Sequence, residues 1–188
     1  MNASGTATAG RRRSNLRLVI LMAAIILPPV VLALGPFRKN FFPARTREVQ
    51  ALAIVAAPAL DFAALADARW SADELAALRR LWDSKQYAAL EERLGREPIQ
   101  RMTPGLKYLH GIAALFDRRP AIALKGLEDA KQEGDAKLRD DASFALAQAL
   151  LLTGNRDAAR HELEPIAAAA GKHREQAQAQ LEALSALR

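Results

Sequence analysis

Residues 145–166, ALAQALLLTGNRDAARHELEPI, are two Ala- and Leu-rich runs on either side of Thr153-Gly154-Asn155. Ala and Leu lose little conformational freedom on entering a helix. Gly154 interrupts the pattern, and the Asn155 side chain offers an oxygen to the free amides of a new helix. The stretch predicts a helical hairpin with small residues, Ala147 and Ala159, facing each other from its two arms. Residues 111–130, GIAALFDRRPAIALKGLEDA, follow the same register. Gly111 lies 36 residues before Ala147, and the same offset relates Ala123 to Ala159, Leu127 to Leu163 and Ala130 to Ile166. One shared offset marks an internal repeat. Small residues let the two helices cross closely while the Leu one turn later fills the space beside them.

Outward from these two copies, helix punctuation is regular. Ser71-Ala72-Asp73-Glu74 has the spacing of a capping box, with Leu75, Leu78, Leu81 and Trp82 following at helical intervals. A second helix is expected from Gln86 to Leu94. Thr103-Pro104 is a further start, a capping hydroxyl before the helical position where Pro is tolerated. From there, helices are predicted to Phe116, from Pro120 to Glu133, Ala136 to Leu152, Arg156 to Ala170 and Lys172 to Leu187. The connections are a few residues long, so neighbours are antiparallel. In the last helix Ala177, Leu181, Leu184 and Leu187 face inward, while Arg174, Glu175, Gln178 and Glu182 face outward.

The hairpin of residues 145–166, the weaker copy at 111–130 and a degenerate one at 75–94 resemble the tetratricopeptide repeat (TPR). That family pairs a small residue in each helix with a Gly-Asp/Asn-like turn and an Ala early in the second helix. The period here is 36 rather than 34, neither copy closes with Pro, Arg118-Arg119-Pro120 replaces the turn of the first copy, and His110 occupies a usually apolar slot. The resemblance implies an all-α fold: an α-solenoid of two to three TPR-like hairpins with a C-terminal capping helix. It also implies a groove, into which the family's slots place Tyr108, Ile112, Leu115 and Phe116 from one copy. Asp141, Phe144, Gln148, Leu151 and Leu152 come from the other. This lining is mostly apolar and lacks the basic cluster by which some family members hold a peptide carboxylate, so a hydrophobic helix or extended segment is the implied ligand. The alternative is that these residues pack against residues 49–66 or the capping helix.

The N-terminal region is different in kind. Leu18 to Leu34 are 17 consecutive uncharged residues, and Gly35, Pro36 and Phe37 extend the run to 20, about 30 Å of helix. A single transmembrane helix over 16–36 is expected, after a basic tail (1–15) and before a juxtamembrane strip and connector (37–69) leading to a repeat domain (70–188). Arg17, Phe37, Arg38, Lys39, Phe41 and Phe42 would meet the bilayer interface, and Pro28 and Pro29 would kink the span into a partner-contact surface. A removable export signal is the rival reading, since Arg12-Arg13-Ser14-Asn15-Leu16-Arg17 resembles a twin-arginine signal. Four basic residues flank the run on each side. The short leading segment favours the N-terminus inside, giving a single-pass bacterial inner-membrane protein with a periplasmic body.

Residues 1–47 hold eight of the 27 basic residues and no acid, and the remainder, with 19 basic and 21 acidic residues, is nearly neutral. No nucleic-acid-binding face is therefore expected. The absence of Cys excludes disulfides and thiolate chemistry. His110, His161 and His173 lack a second ligand at metal-motif spacing. The adjacent acids Glu91-Glu92, Glu128-Asp129 and Asp140-Asp141 read as solvated helix faces, because neighbours on a helix point about 100° apart. With no phosphate loop or nucleophile motif, neither an enzyme nor a cofactor is expected. The predicted function is a membrane-anchored protein-interaction scaffold. Its rivals are an accessory subunit of an integral membrane complex and a membrane-tethered periplasmic chaperone.

Overall fold

The computed structural model describes residues 44–53 and 57–187, which form an all-α body. Its helices are α1 (Ala44–Ala51), α2 (Phe62–Leu65), α3 (Ala72–Asp83), α4 (Tyr87–Gly95), α5 (Pro104–Phe116), α6 (Pro120–Glu133), α7 (Ala136–Leu152), α8 (Arg156–Ala168) and α9 (Arg174–Ala186), with a short 3-10 turn at Ile99–Arg101. From α4 onward each helix packs mainly against the next in sequence, as short connections require.

Local chemistry explains where these helices begin. The Ser71 side chain accepts from the Glu74 amide at 3.2 Å, and Glu74 accepts from the Ser71 amide at 2.9 Å. Thr103, Asp135 and Asn155 each accept from the amide three residues on. The capping residues before α4, α6 and α9 make no such bond. Helix α8 ends at Ala168 and α9 begins at Arg174, each two residues inside the expected limits.

Three hairpin turns share one geometry that only Gly154 announces. Lys85, Arg118 and Gly154 have φ of 57°, 58° and 77°. After each, the following amide reaches back five residues: Gln86 to Leu81, Arg119 to Ala114 and Asn155 to Leu150, at 2.8–2.9 Å. The left-handed residue's own amide bonds three back, to Trp82, Leu115 and Leu151. This is the Schellman arrangement that closes a helix end and reverses the chain. Between the arms, the paired repeat positions are all buried: Gly111, Ala123, Leu127 and Ala130 in one hairpin, Ala147, Ala159, Leu163 and Ile166 in the next. A Cβ on Gly111 would lie 2.6 Å from Leu127 Cγ, so this crossing admits no side chain at that position.

The apolar interior forms two clusters. The larger spans α2 to α7 and includes Trp70, Leu78, Leu90, Leu106, Leu109 and Leu127. The smaller joins α1, α7, α8 and α9 through Val49, Phe144, Leu151, Leu163 and Leu184. Helix α7 contributes to both, because Ala142, Ala145, Leu146 and Ala149 lie on one side of it and Phe144, Ala147 and Leu151 on another.

The connector packs on the body. Gln50 Nε2 donates to the Leu152 carbonyl at 2.8 Å, and Val49 is buried. Phe62 and Leu65 seat α2 on α5, where the Thr103 hydroxyl donates to the Leu65 carbonyl.

The expectation of a single-pass inner-membrane protein with a periplasmic body is corrected. Among the described residues no helix is long and apolar enough to cross a membrane. The longest, α7, has 17 residues and carries Lys137, Arg139, Asp140 and Asp141 in its first turns, whereas a span takes about 20 predominantly apolar residues. The membrane, transmembrane-helix and single-pass assignments, and the inner-membrane and periplasmic location built on them, are withdrawn. The segment 16–36 that suggested them lies outside the described residues, as do Arg17, Pro28, Pro29, Phe37, Arg38, Lys39, Phe41 and Phe42.

Candidate functional site

Helix α5 presents Tyr108, Ile112 and Leu115 along one side at intervals of four and three, and α7 presents Asp141, Phe144 and Gln148 in the same way. These six residues line one cleft of about 280 Å³. Its remaining wall comes from Lys172, His173 and Gln176 at the start of α9, and Ala57, Pro58 and Ala59 of the connector border it. The floor of Ile112, Leu115, Phe144 and Ala145 is apolar.

The other groove candidates divide. Phe116 and Leu152 border a second depression, which Leu115 shares with Gln50, Arg118 and Pro120. The Phe116 ring stacks on Tyr87 at 4.6 Å, and Trp82 meets both edge-on. Leu151 is fully buried in the smaller core cluster, so its side chain offers no groove surface.

One wall of the cleft is polar. Lys172 Nζ lies 2.5 Å and His173 Nε2 3.0 Å from Asp141 Oδ1. Burial pushes the Asp141 carboxyl upward, but the hydrogen bonds from His173 and Lys172, with the Lys172 charge, outweigh it and hold the group below its ordinary value. The His173 ring stacks flat on Phe144, centroids 4.2 Å apart and planes 6° from parallel. Beneath this wall, Gln148 and Gln180 exchange hydrogen bonds of 2.8 and 3.0 Å, and Gln180 also donates to the Leu52 carbonyl at 2.8 Å.

Tyr108 is only 5% exposed. Its phenol is raised above its ordinary value, first by burial and then by the charge of Asp141, so it remains a protonated donor.

Asp141 departs from the solvated-face reading of the Asp140-Asp141 pair, its side chain being 14% exposed. Asp140, Asp141 and His173 bring possible metal-ligand atoms within 4.8 Å of one another. The nearby Lys172 cation already occupies a carboxylate oxygen of that group.

Sequence reasoning named residues 49–66 and the capping helix only as an alternative covering for the groove, and did not single out Lys172, His173 or Gln176 as lining it. A usable signal was present, because Asp141 to His173 and Gln148 to Gln180 share an offset of 32 residues. Treating α9 as the first arm of another hairpin would have placed its N-terminal turns beside the cleft. The other two histidines differ from each other: His110 Nε2 lies 3.3 Å from the buried Glu91 carboxylate, and His161 borders a separate depression with Glu162 and Pro165.

Comparison with known proteins gives no match to this chain, whether to a family model, to a curated protein or to a solved structure.

Proposed function

We propose that the chain is a protein-interaction module, a TPR-like stack of helical hairpins whose α5–α7 face binds an apolar segment of a protein partner. The observation that carries this reading is the gathering of Tyr108, Ile112, Leu115, Asp141, Phe144 and Gln148 from two helices into one cleft with an apolar floor. The three hairpins with equivalent turns support the repeat architecture. Small clefts of this composition fix a ligand by apolar contact and orient it with a few polar groups. The chain acts by binding, with no chemical step.

The test is a photo-crosslinking amino acid placed at Gln176, on the exposed lip of the cleft, with an equivalent probe at the exposed and distant Arg79 as control. The expected result is a partner segment crosslinked from position 176 and not from 79. The corresponding synthetic peptide should bind the full chain and lose binding on Phe144→Asp. A partner captured only from position 79, or a peptide indifferent to Phe144→Asp, rejects the cleft as the docking site.

A second reading has its own observation. Residues 57–59 border the cleft and α1 lies along α7, so the connector occupies part of the face that the partner would use. On that reading the chain supplies its own ligand, and crosslinks from position 176 would map to residues 44–60 of the same molecule.

A further inference from the structure

The polar groups of the cleft narrow what it can hold, an inference that rests on the cleft being the docking site. Tyr108 is 95% buried, lines the cleft and hydrogen-bonds to none of the described residues. Among those residues no side-chain nitrogen or oxygen is sealed from solvent without a partner. The hydroxyl therefore keeps its opening to water, and the cleft is the space that Tyr108 lines. It is a donor in waiting, since a phenol held protonated offers its hydrogen to an acceptor.

The charged wall argues in a different direction. Asp141 already has Lys172 at 2.5 Å and His173 at 3.0 Å. Asp141 and Lys172 already neutralise each other, so a cationic ligand meets the Lys172 ammonium and an anionic one the Asp141 carboxylate, and neither finds an uncompensated counter-charge. An uncharged ligand meets neither cost. Size adds a limit: about 280 Å³ is at the lower edge of the roughly 300–1,000 Å³ typical of small-molecule sites. There is space for one bulky side chain with its adjoining peptide group.

We infer that the cleft recognises one large aliphatic or aromatic residue within an internal stretch of a partner chain. The side chain rests on Ile112, Leu115, Phe144 and Ala145, and the uncharged backbone carbonyl beside it accepts the Tyr108 hydroxyl. A net charge on the ligand gains nothing from the self-neutralised Asp141–Lys172 pair, so an internal, uncharged stretch is favoured over a chain terminus.

The test uses the full chain with methyl-labelled Ile, Leu and Ala, titrated by NMR with three probes of one shape. These are N-acetyl-L-leucinamide, which is neutral, N-acetyl-L-leucine, an anion, and L-leucinamide, a cation. The neutral amide should shift the Ile112, Leu115 and Ala145 methyl signals saturably at millimolar concentration. Both charged probes should bind more weakly. Tyr108→Phe, which removes only the oxygen, should weaken the neutral amide roughly 2- to 12-fold, the worth of one uncharged hydrogen bond. It should leave the unliganded methyl spectrum folded and otherwise alike. Equal affinity in Tyr108→Phe, or equal binding of a charged probe, overturns this inference and leaves the cleft as a docking surface. Absence of methyl shifts with all three probes overturns both.

Discussion

Lys85 and Arg118 occupy the left-handed turn position that Gly154 fills in the third hairpin. For a residue with a Cβ that conformation costs roughly 1–2 kcal/mol, partly offset in a Gly variant by the greater freedom of the unfolded chain. Lys85→Gly should therefore raise stability by about 0.5–1 kcal/mol, read from the urea midpoint at unchanged slope. A lower midpoint would mean that the Lys85 side chain makes a compensating contact. Glu74 provides a pH signature. The Ser71 amide, then Arg101 and the Ser71 hydroxyl, hydrogen-bond its carboxylate and lower its pKa from 4.5 to about 2. A depressed folded-state pKa contributes stability above the unfolded value and loses it as pH falls through the folded one. The stability difference between wild type and Glu74→Gln should hold above pH 4.5 and shrink between 4.5 and about 2. An NMR titration of the Glu74 carboxyl with its midpoint near 4.5 would contradict that account.

Helix boundaries were legible because their causes are local. Ser71, Thr103 and Asn155 each act within three residues of themselves, and the bonds they make are present, while Asp135, which the sequence reading did not single out, caps α7 in the same way. Packing of the connector on the body was open in the sequence only as an alternative, because the partners that fix it are distant in sequence. Gln50 meets Leu152 and Leu52 meets Gln180, separations of 102 and 128 residues. Gln180 itself reads as one more polar residue on a helix and is 3% exposed. In the cleft, Ile112, Leu115 and Phe144 of the floor stand among the residues that the family's slots suggested, whereas Ala145 does not. Lys172 and His173 were not legible, because their role depends on where α9 begins. Gln180→Ala removes the exchange with Gln148 and the bond to the Leu52 carbonyl, at a cost of about 1–3 kcal/mol. Hydrogen exchange should then accelerate at residues 44–53 before it does in α5 and α6. Equal acceleration everywhere would show that the connector is not an independently released element.

At the scale of the whole molecule, α7 is the shared wall of two cores, and the smaller one lies at the C-terminal end. Where helices pack mainly against their sequence neighbours, stability is divided among local units that open separately. Leu163 is fully buried in the smaller core. Leu163→Ala should cost about 2–5 kcal/mol, a large share of the roughly 5–15 kcal/mol available to a domain. Amide protection should fall first in α8 and α9, with α3 to α6 retaining theirs at low denaturant. A single coincident transition for all helices would show the two cores to be one cooperative unit.

The bond from Gln180 to the Leu52 carbonyl also sets an order of assembly on the ribosome. Leu52 is synthesised 128 residues before its partner exists, a wait of roughly 6–26 s at about 5–20 residues per second. During that interval the connector can neither settle on α9 nor complete its border of the cleft. The connector thus completes its docking only after α9 has been made, and until then the cleft lacks its wall of Lys172 and His173.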